Sequence, residues 1–276
     1  MMAGGATIDA YIKAVTDDAG RQAFEADAVS RREHLTFIRR LIRHAKLASA
    51  IEDPVRSLFE RFPATRRIRL RSSTNAEDIA GLNGAGLYNS KSACRADEDA
   101  QGDGPSECRT TLERERIGRY LERLRRIEDP TVEVQELIAD YEETLTDDRK
   151  DLKDALRGVY ASLWNLRAYL SRERHRLDHQ KVFMGVLAHP SFVDESVNGV
   201  AVLNFQADGS IEANIVSQVD DISVTNPAFP DAQAEQVTIT KQAGGSFGAA
   251  NYVTRSNLLP EGQIELLSQA EVQSLA

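Results

Sequence analysis

Arg67-Ile68-Arg69-Leu70-Arg71-Ser72-Ser73-Thr74-Asn75-Ala76-Glu77-Asp78 is the stretch from which the fold class is read. Residues 67–71 alternate polar and apolar with period two, as a half-buried strand does. The chain then turns polar through Asp78 and glycine-rich at Gly81-Leu82-Asn83-Gly84-Ala85-Gly86. A strand therefore feeds a glycine-rich loop. A phosphate needs a fixed cation, hydroxyl or backbone donors, and little bulk beside it. Arg71 at the strand end offers a bidentate fork, Ser72, Ser73 and Thr74 offer hydroxyls, and Gly84 and Gly86 allow close backbone approach. A strand, a turn and a Ser-rich cap with no ligand account for the same residues. The spacing fits neither G-x-G-x-x-G nor G-x-x-x-x-G-K-[ST], which removes the Rossmann and P-loop readings.

Upstream, the first 65 residues read as helices. Ile8, Tyr11, Ile12 and Val15 share one face, and Leu35, Ile38, Leu41 and Ile42 form another apolar stripe. Arg31, Arg32, Arg39, Arg40 and Arg43 largely surround that second stripe as a solvated face. Asp53-Pro54 reads as an N-cap with proline at the first helical position of a short helix ending at Phe59.

Downstream, residues 91–154 carry 19 acidic and 12 basic side chains, a net of −7. Residues 95–106 read as a mobile loop. Ile117, Tyr120, Leu121, Leu124 and Ile127 recur at helical spacing, and Asp129-Pro130 restarts a helix through Val134, Leu137, Ile138, Tyr141 and Leu145. The pair is a helical hairpin, read as an insertion. Leu152, Leu156, Val159, Leu163, Leu166 and Leu170 predict one long helix, with Tyr160, Trp164 and Arg167 stacked beside its stripe. Strands are expected at 182–187, 199–205, 211–216 and 236–240, and a final helix begins at Leu266.

Composition narrows the class. The chain has 276 residues, 41% hydrophobic and 28% charged, enough for one or two globular domains with a core. A net charge of −9 argues against a nucleic-acid binder. No apolar run reaches the roughly 20 residues of a membrane helix, and the N-terminus does not read as a secretion signal. Cys94 and Cys108 make no disulfide framework and read as incidental thiols, so a cytoplasmic location is expected.

Other candidate residues carry weaker signals. Arg167 and Arg172 lie five apart, on different sides of a helix, and an amphipathic core helix with exposed arginines explains them without a ligand. His175 and His179 have the i,i+4 spacing of a helical metal pair but no third ligand nearby, and Asp178 reads more simply as a turn cap with His179 packed beside it. The acidic pair Asp220-Asp221 suits a magnesium ion or a nucleotide, although surface turns often carry such pairs.

Together, several segments resemble one known family. Arg71-Ser72-Ser73-Thr74-Asn75-Ala76-Glu77-Asp78 with Asn83-Gly84-Ala85-Gly86 is similar to the RSS(A/T)-x-x-ED…AG signature of the nucleotide-binding domain of phosphoenolpyruvate synthase and pyruvate, phosphate dikinase. Ser162-Leu163-Trp164-Asn165-Leu166-Arg167-Ala168-Tyr169 with Arg172 resembles its SLW-x-x-RA-x-x-x-R helix. Met184-Gly185-Val186-Leu187 and Asn198-Gly199-Val200-Ala201 resemble the strands that follow, and Val224-Thr225-Asn226-Pro227 sits where the family places an (N)P segment. The motifs keep their order from about Ile8 to Ala276.

The resemblance implies an α+β, ATP-grasp-like domain in which two lobes clamp ATP and magnesium. The phosphoryl group passes to a phosphohistidine carrier, in the same chain or another, and then to pyruvate or a similar acceptor. Related dikinases use a glucan or an antibiotic instead. By motif, Arg71 and Arg167 become phosphate contacts, Ser72, Ser73, Thr74, Gly84 and Gly86 shape the loop, and Met184, Val186 and Leu187 lie near adenine. Asp221 is the candidate metal ligand. The expected division is a helical part at 1–65, an ATP-grasp-like core at 66–90 and 155–276, and the inserted hairpin segment at 91–154.

Departures accompany the resemblance. The family's G-x-K lysine has no counterpart, since Lys13 lies after its place, and the acidic and Q-x-RP strands that supply magnesium ligands are missing. Asp220-Asp221 replaces a glycine-glutamate step, and Asn89-Ser90 replaces an aspartate-threonine pair. The expectation is a domain incomplete at both ends that works within a longer chain. The alternative is a catalytically dead fragment acting through its acidic hairpin.

Overall fold

In the computed structural model the described residues are 10, 12–13, 27–76, 84, 86–98, 108–147, 149–225, 229 and 231–276, excluding the side chains of 132 and 133. The expected helix face around Ile8, Tyr11 and Val15, and Asn226-Pro227, lie outside them. The chain is mixed helix and sheet, and its contacts divide it into two compact units. Residues 1–111 and 147–192 form one, and 112–146 with 193–276 form the other.

The first unit opens with α1 (Ala28–Arg43), whose N-cap Asp27 accepts from the amides of Val29 and Ser30. Leu35 and Ile38 are buried, as the stripe predicts. Helix α2 (Ser49–Phe59) starts a turn before the expected Asp53 cap and holds Pro54 inside it. The proline deprives only the carbonyl one turn back of a partner, and that residue, Ala50, is exposed to water.

Strand β1 (Ile68–Thr74) runs three residues further than the alternation at 67–71 suggests, so Ser72, Ser73 and Thr74 are strand rather than loop. It lies between β2 (Lys91–Ala93) and β3 (Met184–Pro190) in an antiparallel sheet, order β2-β1-β3. Ile68 and Leu70 pack on Leu152, Leu156 and Val159 from the inner face.

A short helix, α3 (Arg95–Glu98), follows β2. Cys94 and Cys108 are joined as a disulfide, Cα atoms 6.1 Å apart, which corrects their reading as incidental thiols. Cysteine usage therefore no longer argues for a reducing compartment. Arg67 donates Nε to the Cys108 carbonyl at 3.0 Å, and the Lys150 amide donates to Asp97 at 2.8 Å. Both ends of the charged 91–154 segment thus belong with the first unit, while α4 (Thr111–Leu124) and α5 (Val132–Thr146) fall almost wholly in the second.

The expected long helix is broken into α6 (Leu152–Ala161), a 3-10 turn at Ser162–Trp164, and α7 (Leu166–Arg174). Polar side chains compete with the helical backbone here. The Ser162 hydroxyl donates back to the Val159 carbonyl at 2.6 Å, and Asn165, extended at ψ 141°, donates to the Leu87 carbonyl and Asn89 Oδ1, both at 3.2 Å.

In the second unit, β4 (Val197–Phe205), β5 (Ile211–Val219), β6 (Glu235–Lys241) and β7 (Asn251–Thr254) form an antiparallel sheet in sequence order. Ile215, Val237 and Ile239 pack with Val272 of α8 (Gln269–Leu275), which a Ser268–Glu271 capping box opens. Tyr120 and Leu124 of α4 and Val134 of α5 pack on Val219, Ile222 and Phe229. No helix among the described residues is long and apolar enough to cross a membrane.

Candidate functional site

The register of β1 on β3 fixes which side chains share a face. Arg71 stands opposite Leu187, Ser73 opposite Gly185, and Arg69 opposite His189. Cross-strand partners project to the same side of a sheet. Arg71 and Ser73 are exposed there, with Leu187 59% exposed. Arg71 donates Nε to His189 Nε2 at 2.8 Å, and Arg69 donates Nη1 to Ser92 Oγ at 3.2 Å. A Cβ on Gly185 would stand 2.8 Å from the Ser73 carbonyl oxygen, so glycine lets the strands close at this point.

Period two sends the other candidates inward. Ser72 is half-buried, and Thr74 is buried with its hydroxyl accepting from the Ala76 amide at 3.1 Å. Met184 and Val186 pack into the core against the helices. Met184 also lines an apolar hollow of about 370 Å³ with Tyr160, Leu163, Trp164 and Val182. Met184 and Val186 therefore share no wall with Leu187. Of the loop candidates, Gly84 is buried and Gly86 adopts φ 75°, a conformation that favours glycine. Residues 77–83 and 85 lie outside the described residues.

Two contacts were not anticipated from the sequence. Asn75 ties the end of β1 to the approach to β3, accepting from the Phe183 amide at 2.8 Å and donating to the Lys181 carbonyl at 2.9 Å. His189 is the other. Only an asparagine after a Ser/Thr run hinted at the first, and nothing local hinted at the second.

Arg167 is exposed on α7 rather than carried by the sheet. Arg172, on the other side of α7, is 1% exposed. It donates Nε to His179 Nδ1 at 3.0 Å, and its guanidinium lies 5.5 Å from the centre of the Trp164 ring. His175 and His179 form no helical pair, because α7 ends at Arg174 and Arg176 turns to φ 54°. Asp178 caps the following turn, as its sequence setting suggests.

In the second unit Asp221 meets an arginine and a tyrosine. Arg116, 3% exposed, lies 3.6 Å from its Oδ1, and the Tyr120 hydroxyl donates to Asp220 at 3.1 Å and to Asp221 at 3.3 Å. Among the described residues no group of three or more His, Cys, Asp or Glu side chains is placed to hold a metal ion. Asp221 is thus engaged by Arg116 and Tyr120, and the described residues around it do not make a magnesium ligand set.

Burial, then the charges of Asp221 and Asp220, drive the Tyr120 pKa far above its ordinary value. Tyr141 moves the same way, through burial first. A folded pKa above the unfolded one means stability is full below about pH 10 and falls as pH rises further. We expect Tyr120→Phe, which keeps the ring on Phe229, to lessen this alkaline loss. Unfolding curves for the two proteins with the same pH dependence between about pH 9 and 12 would contradict it.

The outer side of β1 and β3 is thus an exposed, cationic sheet face. The chain belongs to the pyruvate phosphate dikinase AMP/ATP-binding domain family, whose model matches residues 7–238. No curated protein matches the chain. Family membership identifies ATP as the ligand class.

Proposed function

We propose that the chain is an ATP-grasp-type domain that holds ATP for phosphoryl transfer in a longer dikinase. The observation that carries this reading is the outer face of β1 and β3, where an exposed arginine, a serine hydroxyl, a close-approach glycine and an exposed leucine stand together. Arg71 contacts the phosphates and Ser73 donates beside it, while Leu187 offers an apolar surface to the base. Arg167, exposed on α7, is the second candidate cation, and Gly86 shapes the turn in the same unit. Ser72, Thr74, Met184 and Val186 support this face from behind.

The phosphoryl group passes to a phosphohistidine carrier and then to pyruvate or a similar acceptor. Magnesium arrives with ATP as part of the substrate, and no step is assigned to it. An interaction module working through the hairpin is a less economical reading, because Tyr120, Leu124 and Val134 of that hairpin serve the core. ATP that binds the folded chain must stabilise it, by about 2.7 kcal/mol at a hundredfold excess over Kd. A rise in Tm with ATP is the expected result. An unchanged Tm at millimolar ATP would overturn the reading.

A further inference from the structure

We propose that His189 is the positioning residue for Arg71, an assignment that rests on Arg71 being the phosphate contact. An arginine on an exposed strand has many rotamers, and a ligand that relies on it must meet the cost of fixing one. Here the side chain is fixed in advance from the neighbouring strand. Arg71 faces Leu187 directly, and His189, two residues on, is its diagonal neighbour on the same face.

The chemistry of the imidazole sets the direction of the contact. His189 Nδ1 lies 2.7 Å from the Pro190 carbonyl oxygen, which only accepts, so the ring proton is on Nδ1. Nε2 then carries the lone pair, and it accepts the Arg71 Nε–H at 2.8 Å. That bond uses the inner edge of the guanidinium and leaves the Nη1 and Nη2 end for a phosphate. A carboxylate in this place would hold Arg71 equally well but cancel its charge. A neutral imidazole holds the fork and keeps the cation. The other charged residue of the face, Arg69, is directed to Ser92.

The test uses the full chain and reads the pair with and without nucleotide. Ring-15N spectra of the free protein should show His189 protonated at Nδ1 and hydrogen-bonded at Nε2, and the Nε2 signal should move in Arg71→Ala. Calorimetric titration with ATP should show His189→Ala weakened by roughly three- to tenfold, the size of one lost hydrogen bond. His189→Gln, which restores an acceptor, should recover most of that loss. In the Arg71→Ala background His189→Ala should have no further effect.

If Arg71→Ala weakens ATP binding while His189→Ala does not, the positioning role is wrong and the ATP site stands. If His189→Ala weakens binding equally in both backgrounds, the histidine touches the ligand itself and the positioning role is again wrong. If Arg71→Ala leaves affinity unchanged, the site reading fails and this assignment falls with it.

Discussion

Replacing Arg172 by alanine is expected to destabilise the first unit by about 3–5 kcal/mol, as truncating a large, fully buried side chain does. Arg172 belongs to the helix motif that resembles a nucleotide-binding signature, yet its surroundings are those of a structural residue. Its side chain is among the largest fully buried ones in the chain. His179 Nδ1 accepts from it, while His179 Nε2 meets Glu173 Oε1 at 2.5 Å. The His179 ring stacks on Tyr169, centres 4.4 Å apart and planes within 5°. Burial lowers the pKa of the guanidinium, which marks how far it is from water. Alanine would leave a cavity under Trp164 and strand the histidine nitrogen. Arg172→Met, which fills most of the volume with no charge to desolvate, should cost less. Trp164 is the chain's sole tryptophan, so denaturation followed by its fluorescence reports on this unit. A wild-type midpoint for Arg172→Ala would contradict the account.

Arg71→Ala should act in the opposite way, weakening ATP by roughly 10- to 100-fold, the worth of a charge-assisted hydrogen bond, while leaving the unfolding midpoint in place. Arg71 is exposed, so its removal opens no cavity. It is also directed by His189 with its terminal nitrogens turned away from that bond. Arg71→Lys keeps the charge but loses the planar fork, and its affinity should fall between the two. Arg69→Ala is the control on the same face, since Arg69 is already engaged with Ser92. Equal losses at Arg69 and Arg71 would mean that general positive charge, rather than the Arg71 fork, attracts the nucleotide.

Elements whose signal is local are legible in the sequence. Alternation at 67–71 marks β1, and the Leu35–Ile38 stripe marks α1. Elements in which polar residues serve two structures are not. Ser72 to Thr74 read as loop because hydroxyls suit loops, but they pair along β3 through Met184. The helix from Leu152 keeps its apolar stripe past residue 165, and only the Ser162 and Asn165 side chains break it. Composition marked 91–154 as one segment because it is highly charged. Charge reports exposure, whereas contacts divide that segment between the units. Of the proposed site, Arg71 and Ser73 are legible as candidates from their own strand. The separation of Leu187 from Met184 and Val186 follows from the same period-two rule once β3 is known to be a strand. His189 was not legible, because its contact with Arg71 spans 118 positions and depends on the register of the two strands.

The most direct test is a side-chain 15N spectrum of the arginine Nε–H groups during titration with ATP. The Arg71 signal, assigned by its loss in Arg71→Lys, should shift in step with nucleotide binding while that of buried Arg172 stays in place. ATP that binds without moving the Arg71 signal would show that the nucleotide lies elsewhere and would contradict the assignment of the site to the outer face of β1 and β3.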